Sequence, residues 1–173
     1  TSDEAVIENP VWIGEDVSDV TFDGFTLDSE YIDLTGSPAF HNTMLRIGSG
    51  ADTVIVKNNI VKNNIVQNED NNGRGIIVED GDSGPDGSLT GNQVDIDITE
   101  NAISGFSTGV RVIASNGRIE DVTIDKNKFS DNDSGIGIRE LKDKSVLLGS
   151  VDIQENTFEA SNQTAISIGA DPF

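Results

Sequence analysis

Apolar residues along this chain fall at alternate positions in short bursts, and the bursts recur. Val20, Phe22 and, past a polar corner, Leu27 form the first set. Val54, Val56 and Val61 form the second, and Ile96, Ile98 and Ile103 the third. Val122, Ile124 and Phe129 form the fourth, and Val151, Ile153 and Phe158 the fifth. Period-two alternation predicts strands that turn every other side chain to one face. Each set is followed by a second alternating strand, at Leu45/Ile47, Ile76/Val78, Val110/Val112, Ile136/Ile138 and Ile166/Ile168. Gly75, Gly109 and Gly135 stand just before three of these.

Two strands joined by a bend describe one rung of a coil, and a lone rung has nothing to cover its apolar face. The pattern therefore predicts about five stacked rungs around a continuous apolar column. Val20, Val54, Ile96, Val122 and Val151 would form one inner ladder, and Phe22, Val56, Ile98, Ile124 and Ile153 the next. Leu27, Val61, Ile103, Phe129 and Phe158 would form a third. Asn59, Asn101, Asn127 and Asn156 occupy the bend. Asparagine tolerates the left-handed backbone region, and stacked carboxamides bond one another along an axis, so a structural Asn ladder is expected. Uneven spacing predicts protruding loops at Gln67–Gly73 and Asp80–Ser88.

Composition narrows the class. At 173 residues the chain is long enough for one domain with a core, though only 35% of it is hydrophobic. Eleven basic residues against 31 acidic ones give a net charge of -20, which disfavours DNA, RNA and anionic lipid surfaces. Periodic Val, Ile and Phe argue against disorder. The charge itself has two readings. The preferred one is a halophilic source, where dense carboxylates stay hydrated and salt screens their repulsion; the other is multiple cation binding. With no cysteine there is neither a disulfide framework nor a thiolate metal site. No apolar run reaches the length of a membrane span, so no membrane insertion is expected.

The recurrent pieces, such as Val122 to Phe129 followed by Gly135 to Ile138, resemble the right-handed parallel β-helix repeat families. These include the NosD-like and carbohydrate-associated repeats of the pectate-lyase-like superfold, found in surface proteins, polysaccharide lyases and phage tailspikes. The resemblance implies an all-β, single-stranded right-handed parallel β-helix with three short strands per rung, often with polysaccharide as partner. The expected organisation is a partial N-terminal rung or cap over residues 1–16, the helix over 17–169 and a tail over 170–173. An exposed C-terminal end is expected, belonging to a piece of a longer protein or to a stacking interface.

Candidate chemistry follows from position. Arg46, Arg111 and Arg139 fall at outward positions of their second strands, and Arg74 just before its own. They form a candidate stripe for an acidic sugar, against the plainer reading of pairing with neighbouring acids. Glu79, Asp80, Asp82 and Asp86 alternate along a Gly-containing loop, a pattern of oxygen ligands suited to Ca²⁺ but without the distal Glu of an EF-hand. His41, the one histidine, has no assignable partner as a base and reads as a loop residue. Epimerases of the resembled fold carry Asp-Pro-His-Asp, for which the chain offers only Asp171-Pro-Phe173. Asn132 and Asn162 open Asn-x-Ser/Thr sequons, candidates for two glycans on one edge.

Together these predict a non-catalytic extracellular or cell-surface scaffold that recognises carbohydrate or a cell-surface glycan. The alternative is a polysaccharide lyase, hydrolase or epimerase, or a viral tailspike stem, needing acid pairs or cation-assisted chemistry in a groove. Association of copies through open ends is a third expectation.

Overall fold

The computed structural model describes residues 5–14, 17–29, 43–63, 73–79, 94–114, 118–140, 147–159 and 164–170. All regular structure among them is β. The chain opens with β1 (Val6–Ile7) and β2 (Val11–Ile13). It then makes full passes: β3 (Ser18–Asp23), β4 (Thr26–Asp28) and β5 (Thr43–Ile47), followed by β6 (Asp52–Lys57), β7 (Ile60–Lys62) and β8 (Arg74–Glu79). The next comprises β9 (Val94–Thr99), β10 (Ala102–Ser104) and β11 (Thr108–Ala114). After β12 (Arg118–Ile119) come β13 (Val122–Asp125), β14 (Lys128–Ser130) and β15 (Ser134–Glu140). After β16 (Leu147–Leu148) come β17 (Val151–Gln154), β18 (Thr157–Glu159) and β19 (Thr164–Ala170).

Each full pass gives one strand to each of three parallel sheets. The first sheet runs β3-β6-β9-β13-β17, the second β1-β4-β7-β10-β14-β18 and the third β2-β5-β8-β11-β15-β19. Every strand pairs only with its counterparts in the passes before and after, an arrangement that fits a parallel β-helix. β12 and β16 form a separate pair that the repeat pattern did not signal.

Alternation sets the register, because a one-residue slip would turn each apolar set outward. In the first sheet Val20, Val54, Ile96, Val122 and Val151 are in line, as are Phe22, Val56, Ile98, Ile124 and Ile153. In the second, Leu27, Val61, Ile103, Phe129 and Phe158 are in line. The inner passes bury these side chains, with Val56, Ile98 and Ile124 fully enclosed. The end passes cover theirs less well, and Ile168 is 75% exposed.

The corner between the first and second sheets is held by carboxamides. Asn59, Asn101 and Asn127 are buried there, and each Oδ1 accepts a backbone N–H from the preceding pass, at Phe25, Asn59 and Asn101. Asn156 Oδ1 does the same for Asn127. Each Nδ2 donates backward to a strand carbonyl: Asn59 to Phe22, Asn101 to Val56, Asn127 to Ile98 and Asn156 to Ile124. The residue before each Asn takes positive φ, at Asn58, Glu100, Lys126 and Glu155.

At the entry to the third sheet the glycines admit aromatic rings from the second. A Cβ on Gly109 would lie 2.7 Å from Phe129 Cδ1 and 2.8 Å from the Gly135 carbonyl oxygen. Gly109→Ala is therefore expected to cost about 2 kcal/mol, since a rigid backbone oxygen cannot yield as a flexible side chain would. Urea unfolding of the variant checks this.

Candidate functional site

Strand alternation on the third sheet sends Ile76/Val78, Val110/Val112 and Ile136/Ile138 inward and the residues between them outward. One outward line runs Trp12, Arg46, Ile77, Arg111, Gly137 and Ser167. Arg139 stands two positions further along its strand, in line with Glu79 and Ile113. Arg74 opens β8, in line with Thr43, Thr108, Ser134 and Thr164. All four candidate arginines thus belong to one sheet, on four successive passes, but they occupy three different lines.

Their surroundings divide them. Arg46 is only 8% exposed; its Nη2 lies 3.4 Å from Glu79 Oε2 and its guanidinium 5.7 Å from the Trp12 ring centroid. It is built into the outer face. Arg74, Arg111 and Arg139 instead converge on a depression of about 370 Å³. Ser107, Thr108, Ser134, Thr164 and Ser167 bring hydroxyls to its lining, and Asp133 the one carboxylate there among the described residues. Burial holds the Arg74 guanidinium below its ordinary value; Glu79 works against this, and the charges of Arg139 and Arg46 reinforce it.

The lysines are used differently. Lys57 pairs with Asp23, Lys62 with Asp28 and Lys128 with Glu159, each across neighbouring passes of the first or second sheet. The Lys57–Asp23 and Lys128–Glu159 pairs are exposed and contribute little individually, while Asp28 of the Lys62 pair is buried. Among the described residues, the third sheet gathers three arginines around one concavity.

The remaining candidates fare as follows. Of the acidic loop, Glu79 is the one described residue, and it faces Arg46; Asp80, Asp82 and Asp86 lie outside the described residues, as do His41, Asp171 and Asn162. Among the described residues no group of three His, Cys, Asp or Glu could hold a metal ion. Asn132 is 1% exposed rather than on a free edge: its Oδ1 accepts the Phe106 N–H at 2.9 Å and its Nδ2 donates to Ile103 O at 3.0 Å. Its carboxamide repeats the corner bonding of Asn101 and Asn127, so in the folded chain it is a structural residue and a glycan has no room there.

Sequence reasoning did not single out the hydroxyls or Asp133. A signal for part of the set was present: Thr108, Ser134 and Thr164 each precede a Gly or Ala and then an apolar residue, at the same place in three repeats.

No protein-family model matches the chain, and no curated protein matches it. Among solved structures, the surface protein and adhesin PfbA of Streptococcus pneumoniae is similar over 98% of this chain and 79% of its own, at 10% identity. The TM-score is 0.22, too low to carry an argument. No helix among the described residues is long and apolar enough to cross a membrane.

Proposed function

We propose that this chain is a non-catalytic right-handed β-helix scaffold of the cell surface or extracellular space that binds an acidic carbohydrate through the arginine groove of its third sheet. One observation carries the reading: a chain of net charge -20 brings Arg74, Arg111 and Arg139 to a single depression whose other described lining is five hydroxyl side chains and Asp133. Guanidinium forks match carboxylates, and serine and threonine hydroxyls match sugar hydroxyls. Paired strands hold the three arginines and the hydroxyls of Thr108, Ser134, Thr164 and Ser167, so little ordering is required on binding. Asp133 stands as a lone carboxylate in the described lining, which favours binding over the two-carboxylate chemistry of glycoside hydrolysis.

Calorimetric titration with a hexamer of α-1,4-linked galacturonate tests this. Saturable binding that weakens with added salt, without unsaturated or new reducing-end products, is expected. Arg111→Ala should weaken binding about 10- to 100-fold, the size of one or two charge-assisted hydrogen bonds. No binding by this or any other acidic glycan overturns the reading, and product release replaces it with an enzymatic one.

A further inference from the structure

We propose that the C-terminal end of the third sheet is a dimer edge: β19 of one copy pairs antiparallel with β19 of a second copy, about a two-fold axis at Ser167. This goes beyond the carbohydrate reading and does not depend on it.

The strands at the two ends of the stack are finished differently. At the N-terminal end β1 and β2, outermost in the second and third sheets, span two and three residues, and β3, outermost in the first, carries Asp19 and Asp23. Short strands and charges protect a sheet edge from further pairing. At the C-terminal end β17 carries Asp152 and β18 carries Glu159. β19 has neither protection. It runs seven residues, Thr164–Ala170, and its sequence TAISIGA holds no ionisable residue in a chain of net charge -20. Among the described residues it pairs with β15 and with no strand on its other side. Its inner row is uncovered as well. Val112 and Ile138 are 0% and 4% exposed, but Ile168, in line with them, is 75% exposed.

The pattern of the strand selects a second copy as the occupant. About Ser167 it reads nearly the same in both directions, with Ile166 and Ile168 flanking, then Ala165 and Gly169. A two-fold there sets Ile166 of each copy opposite Ile168 of the other, so that both apolar rows are covered at once. Ala165 meets Gly169, a small pair, and a Cβ on Gly169 would meet nothing within 4 Å. An isologous contact of this kind closes at two copies. Charge agrees. Two chains of net charge -20 repel each other, and of the three strands at this end β19 is the one that brings no carboxylate of its own.

Sedimentation velocity of the full chain, across protein and salt concentrations, tests this. A reversible monomer–dimer equilibrium is expected, shifting toward dimer as salt screens the acids, with no larger species. Ile168→Lys places a charge in the pairing edge that stays solvated in the monomer. It is expected to keep the protein monomeric at every concentration, with the melting temperature of dilute wild type. The chain has no cysteine, and residues facing across an antiparallel pair have Cα atoms about 4.5–5.5 Å apart, within disulfide reach. Ser167→Cys is therefore expected to cross-link into a dimer under mild oxidation, while Thr157→Cys on β18 does not. A wild type that stays monomeric throughout, a series of ever larger species, a dimer that survives Ile168→Lys, or a Ser167→Cys variant that fails to cross-link each overturns the proposal. None of these outcomes bears on the carbohydrate reading, which stands or falls on hexamer binding.

Discussion

Replacing Asn101 by alanine is expected to destabilise the fold by about 3 kcal/mol, lowering the melting temperature by roughly 6–12 °C for a chain of this size. The carboxamide serves three passes at once. Its Oδ1 accepts the Asn59 backbone N–H and the Asn59 Nδ2, each at 3.0 Å. Its Nδ2 donates to Val56 O at 2.9 Å and to Asn127 Oδ1 at 3.0 Å. Alanine leaves a buried backbone N–H and a buried carbonyl without partners, each a desolvation cost of about 1–3 kcal/mol. Lys128→Ala, which loses an exposed pair with Glu159 at 3.0 Å, is the control and should change stability by less than about 1 kcal/mol. Thermal unfolding followed by circular dichroism compares the two. A change at Asn101 as small as the control's would mean that the corner does not depend on its carboxamides.

Phe129→Ala is the second large effect, with an expected cost of about 3–5 kcal/mol. The ring is 1% exposed, lies with its centroid 5.0 Å from that of Phe158 in near-parallel planes, and fills the space above Gly109. Truncation opens a cavity between passes whose backbones are tied by parallel ladders and cannot close on it. Coupling tests the geometry: Gly109→Ala should cost less in a Phe129→Leu background than in the wild type, because part of its strain is contact with that ring. Strict additivity would place the whole strain on the Gly135 carbonyl.

The inner ladders were legible because three physical constraints coincide in the sequence: alternation at Val54/Val56 or Ile96/Ile98, a corner Asn at fixed offset, and a spacing that returns the chain to the same height. The groove was less so. Arg111 and Arg139 read as outward from their strands alone, but Arg46 reads the same way and is instead clamped by Glu79 and Trp12. That distinction depends on which side chains lie beside each arginine on adjacent passes, tens of residues away in the chain. Asp133 and Ser107 come from bends, where alternation says nothing of direction. Asn132 shows the opposite failure. A three-residue sequon suggested a modified surface, while its bonds to Phe106 and Ile103 repeat, one corner on, the pattern of the ladder already recognised.

The left-handed corners carry a wider consequence. Asp19, Thr53, Asp95 and Asp121 share one backbone conformation at one corner, and Asn58, Glu100, Lys126 and Glu155 share it at another. Acid, base, amide and hydroxyl all satisfy the same dihedral, so these sites impose geometry without imposing chemistry. The molecule's acidity is in this sense a coat and not a skeleton. At these eight corner positions charge can change sign while the backbone keeps the same turn.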